Sequence, residues 1–139
     1  VSPYPVHVSV GAVTPAEMHR EGRALARVAD TIVVQLPLVD DAVVAIRKLD
    51  AEGVRVDVSL VFSAAQALLA AKAGARTVTV PIDQLDQLAS PSRTVVGQVR
   101  SLFDVRGVEC DVVTAFPRSA AEFTECGLAG ADAATLELD

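Results

Sequence analysis

Short hydrophobic runs alternate along the chain with longer segments whose hydrophobic positions recur every three to four residues. The short runs are typical of buried strands and the longer segments of amphipathic helices. We predict strands over residues 6–10, 31–37, 54–62, 76–82, 108–116 and 131–138. We predict helices over residues 14–29, 40–53, 63–74, 91–107 and 119–130, with a polar loop after the fourth strand that runs through Ser90.

Several helix ends carry recognisable boundary residues. Thr14, Pro15 and Glu17 fit the N-cap, first and third positions of a helix with a capping box. Ser63 fits the N-cap of the third helix, and Gly74 fits its end. These residues support the predicted helix boundaries.

The regular alternation of Val-rich strands with helices predicts an α/β fold, in which a parallel sheet is covered by outer helices. Residues 49–60 resemble residues 103–114, and this internal repeat favours TIM-barrel-like (β/α) units over a doubly wound sheet. The sequence contains neither of the common glycine-rich phosphate loops, which also disfavours nucleotide binding. A closed barrel of this kind has eight strands, and only six are predicted here.

Composition narrows the class of protein further. A length of 139 residues suits one domain, residues 1–139. The net charge of −6, with both signs interspersed, argues against nucleic-acid or anionic-membrane partners. No run approaches the ~18–20 apolar residues of a membrane span, and no signal-peptide pattern is present. We therefore expect a cytoplasmic protein. The first residue is Val1 rather than Met, which is compatible with a trimmed chain. The two cysteines, Cys110 and Cys126, are expected to be inert and apolar.

Two long stretches resemble the transaldolase/fructose-6-phosphate aldolase family. The first is TIVVQLPLVDDAVVAIRKLDAEGVRVDVSLVFSAAQALLAAKAGARTVTVPIDQLD, which is similar to the family's VVKIP strand and its TLVFS-x-x-QALLAA-x-AGA segment. The second is TAFPRSAAEFTECGLAGADAATLEL, which is similar to the closing LAGAD-x-x-T segment. The resemblance covers about residues 6–138. It implies a (β/α)8 barrel in which this chain supplies the third through eighth strands.

The resemblance also implies a reaction that this chain lacks the residue to perform. The family uses a strand lysine that forms a Schiff base with a ketose carbonyl, and that position falls on Gln35. An amide nitrogen is not nucleophilic, because its lone pair is delocalised into the carbonyl. The only lysines are Lys48 and Lys72, and both lie in predicted helices.

Other family positions are carried over residue by residue. The acidic or amide position of the third family strand falls on Ser9, and the hydroxyl position of the fifth falls on Ser59. The family's sixth-strand aromatic position falls on Pro81, and the phosphate-contacting arginine after it falls on Gln84. The seventh-strand serine falls on Phe116 or Ala115, while Arg118 still matches a family arginine that contacts substrate phosphate. The resemblance thus implies that the scaffold is retained while most of the reaction apparatus is not.

Candidate ligand-binding residues are Gln35, Ser59, Ser63 and Arg118. Each has a structural alternative. Gln35 could be a buried amide bonded to backbone or to Ser59, Ser63 an ordinary N-cap, and Arg118 a solvated loop arginine. Gln66 could join Ser63 in binding an anion at the helix start.

The remaining polar residues give weaker evidence of a functional site. Asp83 and Asp86 lie in the predicted loop without His or Cys, so we predict no metal site there and no cofactor. His7 and His19 lack a Ser or Cys partner at triad spacing. Asp57, Glu109 and Asp111 are placed at strand beginnings, the stability face of a barrel.

Three functional hypotheses follow. The favoured one is a degenerate transaldolase-like domain with a structural, regulatory or ligand-binding role, whose ligand would be a sugar phosphate or other small anion. The second is an enzyme with rebuilt chemistry that uses Ser59, Gln35 and Arg118. The third is a family enzyme completed by a missing segment or a partner chain. Six strands also leave two sheet edges open, so we predict a homo-oligomer or a partner chain that covers them.

Overall fold

Helices and strands alternate through the computed structural model, which describes residues 4–39, 41–87 and 91–137. The strands are β1 (Val6–Ser9), β2 (Ile32–Pro37), β3 (Val56–Ser59), β4 (Thr77–Pro81), β5 (Asp111–Ala115) and β6 (Ala133–Thr135). The helices are α1 (Pro15–Ala26), α2 (Ala42–Ala51), α3 (Ala64–Ala73), α4 (Ile82–Gln87), α5 (Ser92–Arg106) and α6 (Ala120–Ala129).

The six strands form one parallel sheet in sequence order, from β1 to β6. One helix joins each strand to the next, except that two helices, α4 and α5, join β4 to β5. The sheet is curled into a half-barrel. The predicted TIM-barrel-like α/β fold with six of eight strands is confirmed. Within the described residues, no pairing joins β1 to β6, so both strands have an open outer edge.

The two faces of the sheet differ in chemistry, because successive side chains of a strand point to opposite faces. Val34, Leu36, Val58, Val78 and Val80 belong to the hydrophobic core under the helices. Their neighbours along the chain point to the concave face, where hydroxyl, amide and carboxyl groups predominate. The largest fully buried side chain in the core is that of Phe103 from α5.

The predicted helix boundaries are confirmed where capping residues marked them. The Thr14 hydroxyl accepts a hydrogen bond from the backbone N–H of Glu17 at the start of α1. The Ser63 hydroxyl accepts one from the backbone N–H of Gln66 at the start of α3. Gly107 ends α5 with a φ of 64°, in the left-handed region that favours glycine.

One element was not predicted, and several were predicted too long. The helix α4 (Ile82–Gln87) begins at Ile82, which was predicted to end the fourth strand, and replaces the predicted polar loop over residues 83–87. The third strand is confined to Val56–Ser59 and the sixth to Ala133–Thr135. The predictions that fall on residues 40, 88–90 and 138 lie outside the described residues.

Among the described residues, no helix is both long and apolar enough to cross a bilayer.

Candidate functional site

Gln35 lies on the concave face and is hydrogen-bonded on both sides. Its Nε2 donates to Oδ2 of Asp57 at 2.9 Å, and its Oε1 accepts from the Ser9 hydroxyl at 2.6 Å. Sheet register explains both bonds, because Gln35 is paired with Ser9 on β1 and with Asp57 on β3. The alternative in which Gln35 bonds to Ser59 is wrong, since the Ser59 hydroxyl is directed to the Leu36 carbonyl at 3.4 Å.

Asp57 connects the polar groups of the concave face. It is 1% exposed, and its two carboxylate oxygens bond to three side chains. Oδ2 contacts Nδ1 of His7 at 2.9 Å as well as the Gln35 amide, and Oδ1 accepts from the Thr79 hydroxyl at 2.8 Å. A buried carboxylate is stable only when partners of this kind replace its water. The network fixes the Gln35 side chain.

Asp57 lies at the beginning of β3, as predicted, but its side chain also supports the cavity residue Gln35. The residue is the second of β3, but the register sets it beside Gln35, the fourth residue of β2. The sequence signal for this role of Asp57 was an acidic residue inside an otherwise apolar strand. Its partners lie 22 residues away or more, which is why sequence order alone did not reveal them.

A cavity of about 210 Å³ opens above this network, at the carboxyl ends of the strands. It is lined by Gln35, Ser59, Leu60, Thr79, Pro81, Asp83, Gln84, Ala115, Phe116 and Thr135. Five positions singled out by the family resemblance lie in this wall: Gln35, Ser59, Pro81, Gln84, and Phe116 or Ala115. The carboxyl ends are where chemistry occurs in barrels of this type.

Backbone strain occurs at two points on the cavity wall. Leu60 directly follows β3 with a φ of 58°, and Phe116 directly follows β5 with a φ of 61°. Residues with a Cβ rarely adopt this left-handed conformation, and such strain persists where the surrounding structure imposes it. Both side chains help to line the cavity.

Two candidate residues lie elsewhere. Ser63 caps α3, and the Gln66 side chain reinforces that cap by accepting from the Phe62 N–H at 2.8 Å. Arg118 is 60% exposed and forms an ion pair with Glu122 at 3.5 Å. It lines a separate open depression next to Ser119 at the start of α6. The structure therefore brings Gln35 and Ser59 together, but neither Ser63 nor Arg118 lines their cavity.

The acidic and histidine candidates are placed as follows. Asp83 lies in the first turn of α4 and faces the cavity, whereas the side chain of Asp86 lies outside the described part of the chain. His19 contacts Glu52 at 2.8 Å. No group of three or more His, Cys, Asp or Glu side chains in the described ranges is arranged to hold a metal ion.

The lysines and cysteines lie away from the cavity. Lys48 on α2 and Lys72 on α3 are both exposed on the outer helices. Cys110 and Cys126 are both buried. Burial raises the pKa of the Cys110 thiol from 9.0 to about 12, and the neighbouring carboxylate of Asp111 adds to this shift.

Comparison with known proteins supports the resemblance over the whole chain. The family model described as "Transaldolase/Fructose-6-phosphate aldolase" matches residues 1–139. The chain is 35% identical over 132 residues to a "Probable transaldolase" of Clostridium perfringens, an alignment that covers 95% of this chain and 61% of the relative. It is 38% identical over 135 residues to a "Probable transaldolase" of Phenylobacterium zucineum, covering 97% of this chain and 62% of the relative.

A third relative, a "Probable transaldolase" of Prosthecochloris aestuarii, is 39% identical over 132 residues, covering 95% of this chain and 59% of the relative. The chain thus spans about three fifths of the length of these curated relatives. The strand order, the cavity at the carboxyl ends of the strands and these matches agree. This chain belongs to the transaldolase/fructose-6-phosphate aldolase family.

Proposed function

We propose that this chain is a transaldolase-family domain that no longer performs Schiff-base aldol chemistry and instead binds a small ligand in the Gln35 cavity. The observation that carries the proposal is the double hydrogen bonding of Gln35 to Ser9 and Asp57. Gln35 occupies the position at which the resemblance implies a lysine nucleophile. An amide held in this way can bind a ligand but cannot form an iminium with it.

The surroundings of Gln35 support a binding role. An amide nitrogen carries two N–H groups, and one of them is used by Asp57. The second is available to a ligand in the cavity, together with the hydroxyls of Ser59 and Thr135 on its wall. The volume of about 210 Å³ lies below the roughly 300–1,000 Å³ of drug-sized sites, which suits a small metabolite.

The positions of the two lysines also support the proposal. Lys48 and Lys72 are exposed on α2 and α3, which lie on the convex side of the sheet. A lysine there is solvated, and its amine cannot reach a carbonyl held at the carboxyl ends of the strands. Neither lysine can therefore substitute for the missing nucleophile in cis.

Turnover of a ketose phosphate tests this function. Purified chain incubated with fructose 6-phosphate should release glyceraldehyde 3-phosphate no faster than buffer. A rate that saturates with substrate and scales with chain concentration would overturn the proposal. Two matched variants, Gln35→Ala and Ser59→Ala, would then show whether the turnover arises in this cavity.

A second candidate function follows from the fraction of its relatives' length that this chain covers. Because the chain spans about three fifths of its relatives, a further segment or a partner chain would complete the barrel and could supply a catalytic group. The open edges of β1 and β6 are the surfaces at which such a segment would pair. The same edges support our proposal that the chain forms a homo-oligomer or binds a partner chain. Turnover that arises only on mixing with that partner would favour this alternative.

A further inference from the structure

We infer that the Gln35 cavity selects an uncharged, hydroxyl-bearing ligand over a phosphorylated one, and that Asp83 is the residue that determines this specificity. The inference rests on the proposed function, since it names the ligand class of the same site. The resemblance implies a sugar phosphate there, whereas the residues that line the cavity favour a neutral polyol.

Asp83 has a carboxylate oxygen without a hydrogen-bond partner in the described part of the chain. This oxygen, Oδ1, is buried. A buried polar atom without a partner is unfavourable, and the penalty is larger for a charged group. Asp83 lies in the first turn of α4 and lines the cavity. Because Oδ1 has almost no accessible surface, a ligand hydroxyl in the cavity reaches it only when the Asp83 side chain turns toward the cavity, and the hydrogen bond then removes the penalty.

The charge of the lining disfavours an anion. Phosphate groups are usually bound by arginine or lysine, or by helix N-termini. The described cavity has no basic residue in its wall, and Gln84 stands where the resemblance implies a phosphate-contacting arginine. The carboxylate of Asp83 would repel a phosphate placed in so small a volume. Arg118, the remaining candidate for a phosphate contact, lines a different depression and is paired with Glu122.

The other polar groups of the wall are complementary to hydroxyls. Gln35 and Gln84 each offer an amide that both donates and accepts, and Ser59, Thr79 and Thr135 each carry a hydroxyl. Groups of this kind exchange hydrogen bonds with a polyol without needing a charge on the ligand. Among these side chains of the cavity wall, the Asp83 carboxylate is the one that accepts hydrogen bonds without donating any. It therefore favours a ligand that donates a hydrogen bond and disfavours an anionic ligand.

A titration followed by ¹⁵N NMR tests this inference. The probes are erythritol, which is neutral, and glycerol 3-phosphate, which is anionic and of similar size. We expect erythritol to shift the Gln35 side-chain signals at millimolar concentrations and glycerol 3-phosphate to bind at least about tenfold more weakly. Asp83→Ala should weaken erythritol binding about tenfold, which is the fold-change expected for the loss of one hydrogen bond to a charged group.

Asp30→Asn is the matched control, because Asp30 is an exposed acid before β2, at the opposite end of the strands. It should leave both affinities unchanged. A purely structural role for Asp83 would lower the melting temperature of Asp83→Ala, whereas removal of an unpartnered buried oxygen should preserve or raise it. Tighter binding of glycerol 3-phosphate, unchanged erythritol binding in Asp83→Ala, or no binding of either probe would overturn the inference. Failure of the proposed function would be seen separately, as turnover of fructose 6-phosphate.

Discussion

The amide of Gln35 donates to the carboxylate of Asp57 at 2.9 Å, and Asp57 is 1% exposed. The pair links two neighbouring strands, and Gln35 lines the cavity. This pair explains how a glutamine is accommodated at the strand position where the resemblance implies a lysine. A lysine introduced at position 35 would therefore lie beside the carboxylate of Asp57.

Replacing Gln35 by lysine alone should restore little reactivity. A carboxylate beside an amine favours the protonated ammonium, which is not a nucleophile. The double variant Gln35→Lys, Asp57→Asn removes that charge while keeping a similar shape. We expect borohydride trapping with dihydroxyacetone to be at least about tenfold greater in the double variant, since a difference of ~1.4 kcal/mol corresponds to one power of ten. Asp57→Asn alone is the control and should trap nothing, while equal trapping by the single and double variants would show that Asp57 does not suppress the lysine.

Asp57→Ala should destabilise the fold by about 2–3 kcal/mol, because it leaves buried or half-buried polar groups of Gln35 and Thr79 without their acceptor. Urea unfolding measures the change. Asp111→Ala is the matched control, since Asp111 is an exposed acid at the start of β5, and it should change the free energy of unfolding by no more than about 0.5 kcal/mol. A similar loss in both variants would contradict the role assigned to Asp57.

Most of the fold could be predicted from the sequence because the evidence for it is local. Val-rich runs and caps such as Thr14 and Ser63 mark their own elements. The helix α4 was missed because six residues, Ile82–Gln87, are too short to show a helical period. The role of Asp57 was missed because it depends on sheet register, which is determined by packing between strands.

The free energy of unfolding should fall at high pH because of the Cys110 thiol. Its pKa rises from 9.0 to about 12 on folding, so between these values the folded state retains a proton that the unfolded state releases. Below pH 9 the thiol is protonated in both states and contributes nothing to the pH dependence. The free energy of unfolding should decrease by up to ~1.4 kcal/mol per pH unit in this window. Cys110→Ala should lack this component, and identical pH profiles of the two proteins would contradict the shift.

The open edges of β1 and β6 should be covered in solution. Unpaired strand edges invite pairing with another chain, and each outer strand has a hydrogen-bonded neighbour on one side only among the described residues. Light scattering should report a species larger than one chain. Hydrogen exchange in β1 and β6 should slow as the concentration rises. A monodisperse monomer with both edges protected would contradict this expectation.

We propose that this chain retains the family scaffold without a Schiff-base nucleophile. Borohydride reduction in the presence of dihydroxyacetone or fructose 6-phosphate, followed by intact-mass measurement of the unaltered chain, tests it most directly. We predict no increase in mass, because Gln35 cannot form an iminium and both lysines lie on the outer helices. A stoichiometric adduct on this chain, mapped by peptide mass to any of its residues, would contradict the account.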